Sequence, residues 1–243
     1  MLNQIILAIV QAATEFLPVS SSGHLALISN IISEPNLFFF TVLHLASLLA
    51  VLIFVRREIF GLLSFKQGYR KLWIYLILAT IPAVLFGFFF RNLIARAFSS
   101  LLVIGIGFIF TGVILFITKF AHVYSKFNFE NSLVIGIFQM LALFPGVSRS
   151  GMTISSGMYQ GIDKEKAARF SFLLFIPLVI GAVILQFGEA YFSIGLLISF
   201  LVCLVFSLIF LNLLFRIIKG GGFWLFSIYC FVVGVVSLVL WAI

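Results

Sequence analysis

Gln11-Ala-Ala-Thr-Glu15-Phe-Leu-Pro18-Val-Ser20-Ser21-Ser22-Gly23-His24 breaks an apolar run of about residues 4–32 midway with a proline, three serines, a carboxylate and an imidazole. A second apolar run, about 132–160, is broken in the same manner by Gln139-Met-Leu-Ala-Leu-Phe144-Pro145-Gly146-Val147-Ser148-Arg149-Ser150-Gly151-Met152-Thr153. A shift of 128 residues places Gln11 on Gln139, Phe16 on Phe144, Val19 on Val147, Ser20 on Ser148, Ser22 on Ser150 and Gly23 on Gly151. Pro18 and Pro145 miss each other by one place. The shared small-polar cluster reads as a duplicated unit. Interrupted apolar segments at matching places in two halves point to a site near the middle of a bilayer.

The rest of the chain says that a bilayer is the solvent. Of 243 residues, 63% are hydrophobic and only 9% are charged, and 32 are Phe. A chain this poor in charge cannot cover a water-facing surface, so most of it faces lipid. That excludes a soluble enzyme, a secreted disulfide scaffold and a disordered tail. The net charge of +8 reflects basic loops beside an anionic leaflet and not a nucleic-acid partner. Cys203 and Cys230 sit in apolar runs and read as small packed or lipid-facing side chains. Met1-Leu2-Asn3-Gln4 lacks the basic n-region of a secretory signal, so insertion is expected through the chain's own apolar segments.

Six clean spans are expected at about 38–55, 72–90, 100–118, 167–187, 193–215 and 223–243, each near the ~20 residues a helical crossing needs. Charge decides what the two broken segments do. If both turn back as hairpins, one side collects Arg56, Arg57, Lys66, Arg70, Lys71, Lys119, Lys126, Lys164, Lys166, Arg169, Arg216 and Lys219, and the other holds only Arg91 and Arg96. If both cross, the basic residues divide evenly. The positive-inside rule prefers the uneven arrangement. The expectation is therefore an all-α integral membrane protein, six transmembrane helices plus two re-entrant hairpins, in one membrane domain over residues 1–243. Three crossings separate the hairpins, so the repeats, about 1–118 and 129–243, have inverted topology. The C-terminus would emerge outside the cytoplasm.

Gln11 and Glu15 lie four apart and share a helix face. Pro18 ends that helix, and Ser20, Ser21 or Ser22 can cap the helix beginning near His24. In the second hairpin, Ser148, Ser150 and Gly151 lead into a helix start whose N–H groups can gather an anion. Arg149 offers a fork matched to phosphate oxygens, and Thr153 adds a hydroxyl. Together they read as a phosphate cradle facing Glu15, Ser21 and His24. Burying Glu or Arg at the bilayer centre costs roughly 2.5–3.5 kcal/mol each, which argues for function. The plain alternative is a Glu15–Arg149 ion pair that only ties the hairpins together. His44, in a clean span, is balanced between packing and a supporting role. His122 reads as solvated, and Glu34, Asp163, Glu165 and Glu189 as solvated or capping groups at segment ends.

These motifs resemble the two signatures of the bacterial undecaprenyl-diphosphate phosphatases, the bacitracin-resistance family. The likeness continues through His44-Leu-Ala-Ser-Leu-Leu-Ala50, Ile81-Pro82 and Phe170-Ser-Phe-Leu-Leu-Phe-Ile-Pro177. Beyond about residue 187 only generic membrane helices match. The resemblance implies a membrane hydrolase acting on a polyprenyl diphosphate lipid and recycling the carrier for peptidoglycan and other cell-wall polymers. It also implies residence in the bacterial plasma membrane and a divalent cation, Mg²⁺ or Ca²⁺, for which Gln11 and Glu15 are the candidate ligands. The family's first signature opens with Glu or Gln. With Gln11 here, the acid–base burden falls on Glu15. A homodimer is compatible with this reading. Either Ser21 is the nucleophile, with Glu15 or His24 removing its proton, or a water oriented by Glu15 attacks directly. The other common membrane lipid phosphatase needs a histidine after its Ser-Arg motif, and none follows Arg149. A transporter or flippase remains the rival class, because broken helices in repeats also serve transport.

Overall fold

A computed structural model describes residues 1–29, 37–64, 67–185 and 192–243. Glu34 and Glu189 lie outside the described residues. Among those residues the chain is helical: α1 (Leu2–Phe16), α2 (Ser21–Ser29), α3 (Leu37–Phe54), α4 (Arg56–Leu63), α5 (Gln67–Phe89), α6 (Arg91–Phe98), α7 (Leu101–Ile117), α8 (Phe129–Leu141), α9 (Arg149–Tyr159), α10 (Lys164–Leu185), α11 (Ile194–Lys219) and α12 (Phe226–Ala242). α5, α7, α10, α11 and α12 are long and apolar enough to cross a membrane, and α3 with α4 makes a sixth candidate, bent by 77°. The six expected spans all correspond to these helices. The short helices α4 and α6 were not legible in the sequence, since each is one apolar stripe beside charged residues. At the start of α10, Asp163 Oδ1 accepts from the Lys166 N–H at 3.1 Å and Glu165 pairs with Lys219 at 3.5 Å.

The two broken segments fold as helical hairpins. α1 has 15 residues and α9 has 11. At 1.5 Å per residue neither reaches the ~30 Å of a hydrocarbon core. Leu17, before Pro18, turns extended and ends α1. The second hairpin breaks at Pro145-Gly146, where Gly146 has φ +84, and Ser148 caps α9 by accepting from the Gly151 N–H. α8 begins with a reciprocal cap between Asn128 and Asn131.

Packing between the halves is reciprocal. α1 lies along α11 as α8 lies along α5, while α7 pairs with α12 and α3 with α10. A two-fold relation between the halves would give this pattern. It is imperfect: α11 packs closely on α3, whereas α5 and α10 leave an apolar cavity of about 500 Å³ walled by Leu76, Ile77, Thr80, Leu173 and Ile176. Outward faces of the span helices are apolar, as lipid requires. Both cysteines are buried, Cys203 between Ser47 and Ser207.

The hairpin tips meet back to back through glycine. A Cβ on Gly23 would lie 2.9 Å from the Gly146 Cα, and one on Gly146 would run into the Ile104 carbonyl of α7. Gly146→Ala therefore combines a left-handed backbone with a backbone clash, and should destabilise the protein by about 3 kcal/mol. Gly181→Ala, with nothing within 4 Å of the added methyl, should be neutral. Thermal unfolding in detergent compares the two; equal midpoints would mean the tips do not pack this closely.

Candidate active site

Glu15 stands at the end of α1, where Pro18 stops the helix, and Arg149 is the first residue of α9. They meet: Arg149 Nη2 donates to Glu15 Oε1 at 2.8 Å. Both side chains are largely buried, at 12% and 7% exposure. The other carboxylate oxygen accepts from Ser21 Oγ at 2.6 Å and from Gln11 Nε2 at 3.1 Å. A fourth neighbour, His44 Nε2, lies 3.7 Å away. One buried carboxylate thus gathers a guanidinium, a hydroxyl, an amide and an imidazole from four helices.

Arg149 is held on three sides. Its Nη1 donates to the Ser171 carbonyl at 3.2 Å, and its guanidinium lies 4.4 Å over the Phe175 ring. Such stacking suits the flat, weakly hydrated guanidinium. These contacts engage two of its five N–H donors, leaving others for an incoming anion. Thr153 braces this arrangement, with its hydroxyl 2.9 Å from the Arg149 carbonyl and 2.6 Å from Ser171 Oγ. The tip before Arg149 is fixed by Thr111, which donates to the Gly146 carbonyl at 2.9 Å and accepts from the Ser148 N–H at 3.1 Å.

The cluster opens into a cavity of about 270 Å³ lined by Thr14, Glu15, Ser20, Ser21, Ser22, His44, Ser148 and Arg149 on its polar side. Leu143, Phe175, Leu178, Val179 and Ala182 form its apolar wall. At the start of α9 the N–H groups of Arg149 and Ser150 have no intrahelical partner and add favourable partial charge.

The structure brings together most, not all, of the residues singled out from sequence. Glu15, Ser20, Ser21, Ser22, Ser148 and Arg149 share the cavity. Gln11 sits behind Glu15, fully buried, and its Oε1 has no hydrogen-bond partner. Ser150 lies behind the wall, 3.3 Å from Ser148 Oγ. Gly151 leaves room for the capping Ser148 side chain, which a Cβ would meet at 3.0 Å, and Thr153 supports Arg149 from behind. His24 is not among the cavity's lining residues. Its ring packs between Tyr229 and Phe108, with Nδ1 on the Ser20 carbonyl at 2.8 Å and Nε2 on Tyr229 Oη at 2.7 Å. The imidazole that lines the cavity belongs to His44. Its Nδ1 is 2.8 Å from the Phe40 carbonyl, an acceptor only, so Nδ1 carries a proton and Nε2 is the atom turned toward Glu15. Sequence reasoning missed Thr111, Ser171 and Phe175. The signal for Thr111 is a hydroxyl residue in an otherwise apolar span, and for Ser171 and Phe175 their place in the resembling stretch 170–177.

Among the described residues, no three His, Cys, Asp or Glu come together as a cation cage. The donors present, the Glu15 carboxylate and the unpartnered Gln11 Oε1, are hard oxygens. They fit a Mg²⁺ or Ca²⁺ ion that completes its shell with water and phosphate oxygens.

These features define the class: a multi-pass, all-helical membrane protein with a buried carboxylate–guanidinium–hydroxyl site of the chemistry that handles phosphate. The chain belongs to the family described as bacitracin resistance protein BacA, whose profile matches residues 4–236. It is similar to the undecaprenyl-diphosphatase of Thermosipho africanus, 39% identical over 97% of this chain and 98% of that one. An undecaprenyl-diphosphatase of Methanococcus maripaludis is also 39% identical, over 95% and 96% of the two chains. That of Korarchaeum cryptofilum is 36% identical over 96% and 97%.

Proposed function

We propose that this chain hydrolyses undecaprenyl diphosphate to undecaprenyl phosphate and inorganic phosphate, which recycles the lipid carrier for cell-wall polymers and confers bacitracin resistance. The observation that carries the reading is the Ser21 hydroxyl, 2.6 Å from a carboxylate that Arg149 holds at 2.8 Å, at the edge of a cavity inside the membrane domain. The names of the similar proteins point to the same substrate. A lipid diphosphate suits this placement, since its headgroup can enter the cavity while its tail stays among apolar helices.

In the chemistry we favour, Ser21 Oγ attacks the terminal phosphorus as its proton passes to Glu15, and the bond from that phosphorus to the bridging oxygen breaks. Undecaprenyl phosphate leaves with the bridging oxygen. Water then cleaves the phosphoserine, releasing phosphate and restoring the Ser21 hydroxyl. Arg149, the Ser148 hydroxyl and the first N–H groups of α9 stabilise charge on the non-bridging oxygens. Glu15 and Gln11 Oε1 would hold a Mg²⁺ or Ca²⁺ ion, whose contribution is to neutralise phosphate charge.

Purified protein in detergent should release inorganic phosphate from undecaprenyl diphosphate or farnesyl diphosphate. A transporter or flippase would release none, and that result overturns the reading. Acid quench with terminally labelled substrate should trap label on the wild-type protein and none on Ser21→Ala. Phosphate release by Ser21→Ala should fall about 10²-fold and not vanish, because water beside Glu15 can still attack. Label that never becomes protein-bound counts against a serine nucleophile and for direct attack by water.

The uneven distribution of Lys and Arg supports a plasma-membrane protein whose halves are inverted, with hairpins entering from opposite faces and the C-terminus outside the cytoplasm. A reporter fused after Ile243 tests the orientation; one active only in the cytoplasm would reverse it. Among the described residues, one chain supplies a full set of lining groups, so a homodimer would carry one such cavity in each copy.

A further inference from the structure

We infer that Tyr229, on α12, is a positioning residue for the active site, acting through His24 on the backbone of Ser20. The inference rests on the hydrolase reading for its kinetic consequences. Its structural basis is separate.

Ser20 is the only non-glycine residue with positive φ among those described, at +67. A side-chain-bearing residue stays in that region only where its surroundings over-determine it. Ser20 sits immediately before Ser21, so its backbone sets the direction in which Ser21 Oγ meets Glu15. Three local contacts hold it: its Oγ accepts from the Gly23 N–H at 3.3 Å, lies 3.2 Å from Ser22 Oγ, and its carbonyl accepts from the His24 N–H at 3.2 Å. The fourth is the His24 ring, with Nδ1 2.8 Å from the same carbonyl.

That last contact depends on a tautomer. A carbonyl only accepts, so Nδ1 must carry the proton. In the neutral ring Nε2 then has only a lone pair, and the group facing it at 2.7 Å is the Tyr229 hydroxyl. The phenol donates to Nε2, stacks its ring on the imidazole at 5.6 Å, and thereby favours the tautomer that can hold Ser20. Phe108 packs perpendicular to the imidazole, with ring centroids 5.1 Å apart. The hydroxyl is therefore the part of Tyr229 that selects the proton's position, whereas the ring only packs. Tyr229 does not line the catalytic cavity and cannot touch the reacting atoms from here. It works at one remove, through His24 on Ser20, and so on the approach of Ser21.

Tyr229→Phe keeps the ring and removes the donor. It should lower kcat about tenfold, as expected for a slightly misdirected nucleophile, with KM and the unfolding temperature within error of wild type. In a His24→Ala background the same substitution should cause no further loss. Nitrogen-15 spectra of the histidine side chains, with His24 assigned by its absence from His24→Ala, should show the Nδ1–H form in wild type and a mixture in Tyr229→Phe. Wild-type kcat in Tyr229→Phe, a loss that tracks unfolding temperature, multiplicative losses in the double variant, or an Nε2–H form in wild type would each overturn the assignment. If wild type releases no phosphate at all, the hydrolase reading fails, and the spectra still decide whether Tyr229 sets the His24 tautomer.

Discussion

Glu15→Gln should lower kcat for phosphate release by about 10³-fold, within the range contributed by a positioned general base, and should lower KM as well. The substitution is nearly isosteric, so the fall cannot be assigned to a cavity. It removes the acceptor that takes the Ser21 proton. It also leaves Arg149 without its partner at 2.8 Å, and an uncompensated buried cation binds a phosphate ligand more tightly. Breaking such a buried pair costs about 3–5 kcal/mol of stability. The unfolding temperature should therefore drop and recover when phosphate or a diphosphate analogue is added, because a ligand that binds only the folded state stabilises it. Steady-state kinetics with a thermal-shift series reads all three effects. A variant with near wild-type kcat would remove Glu15 from the chemistry.

Arg149→Lys should lower kcat/KM by about 10²–10³-fold, comparable to deleting a preorganised transition-state donor. Lysine keeps the charge and can still pair with Glu15. It loses the planar fork, the bond to the Ser171 carbonyl at 3.2 Å and the stacking on Phe175 at 4.4 Å. The double variant Glu15→Gln with Arg149→Met separates function from fastening. If the pair only ties the hairpins together, neutralising both partners restores stability and activity together. If it serves catalysis, stability returns and activity does not.

Much of the fold was readable from local composition. A run of apolar residues long enough to cross lipid has few alternatives to a helix, because every backbone group must be satisfied internally. The six spans follow from that. The hairpin breaks follow from Pro18 and Pro145, which cannot donate, and from the serines that cap what comes next. The candidate site was readable in part. Glu15, Ser21 and Arg149 stood out because charge and hydroxyl clusters are costly in lipid.

His24 shows where that logic runs out. Sequence proximity to Ser21 suggested a shared cavity, but helical geometry turns the His24 ring back onto the Ser20 carbonyl and across to Tyr229, 205 residues away. His44 was marked only as the polar head of the resembling stretch His44–Ala50, with no role that its sequence position could assign, yet α3 carries it to the cavity wall. Thr111 stood only as a hydroxyl in an apolar span, and Ser171 and Phe175 only as members of the resembling stretch 170–177, with no role attached. Each acts through a partner on another helix, and a single chain's order carries no distances.

The amino-acid order alone thus determined the solvent, the apolar stretches that can cross it, the two breaks and which charged groups had to find partners inside lipid, since each of these is a local free-energy cost summed over neighbours along the chain. Only the tertiary structure decided which partners those groups found, because helix packing joins residues far apart in sequence: Arg149 to Glu15 and Ser171, Thr111 to the tip of the second hairpin, and Tyr229 to His24.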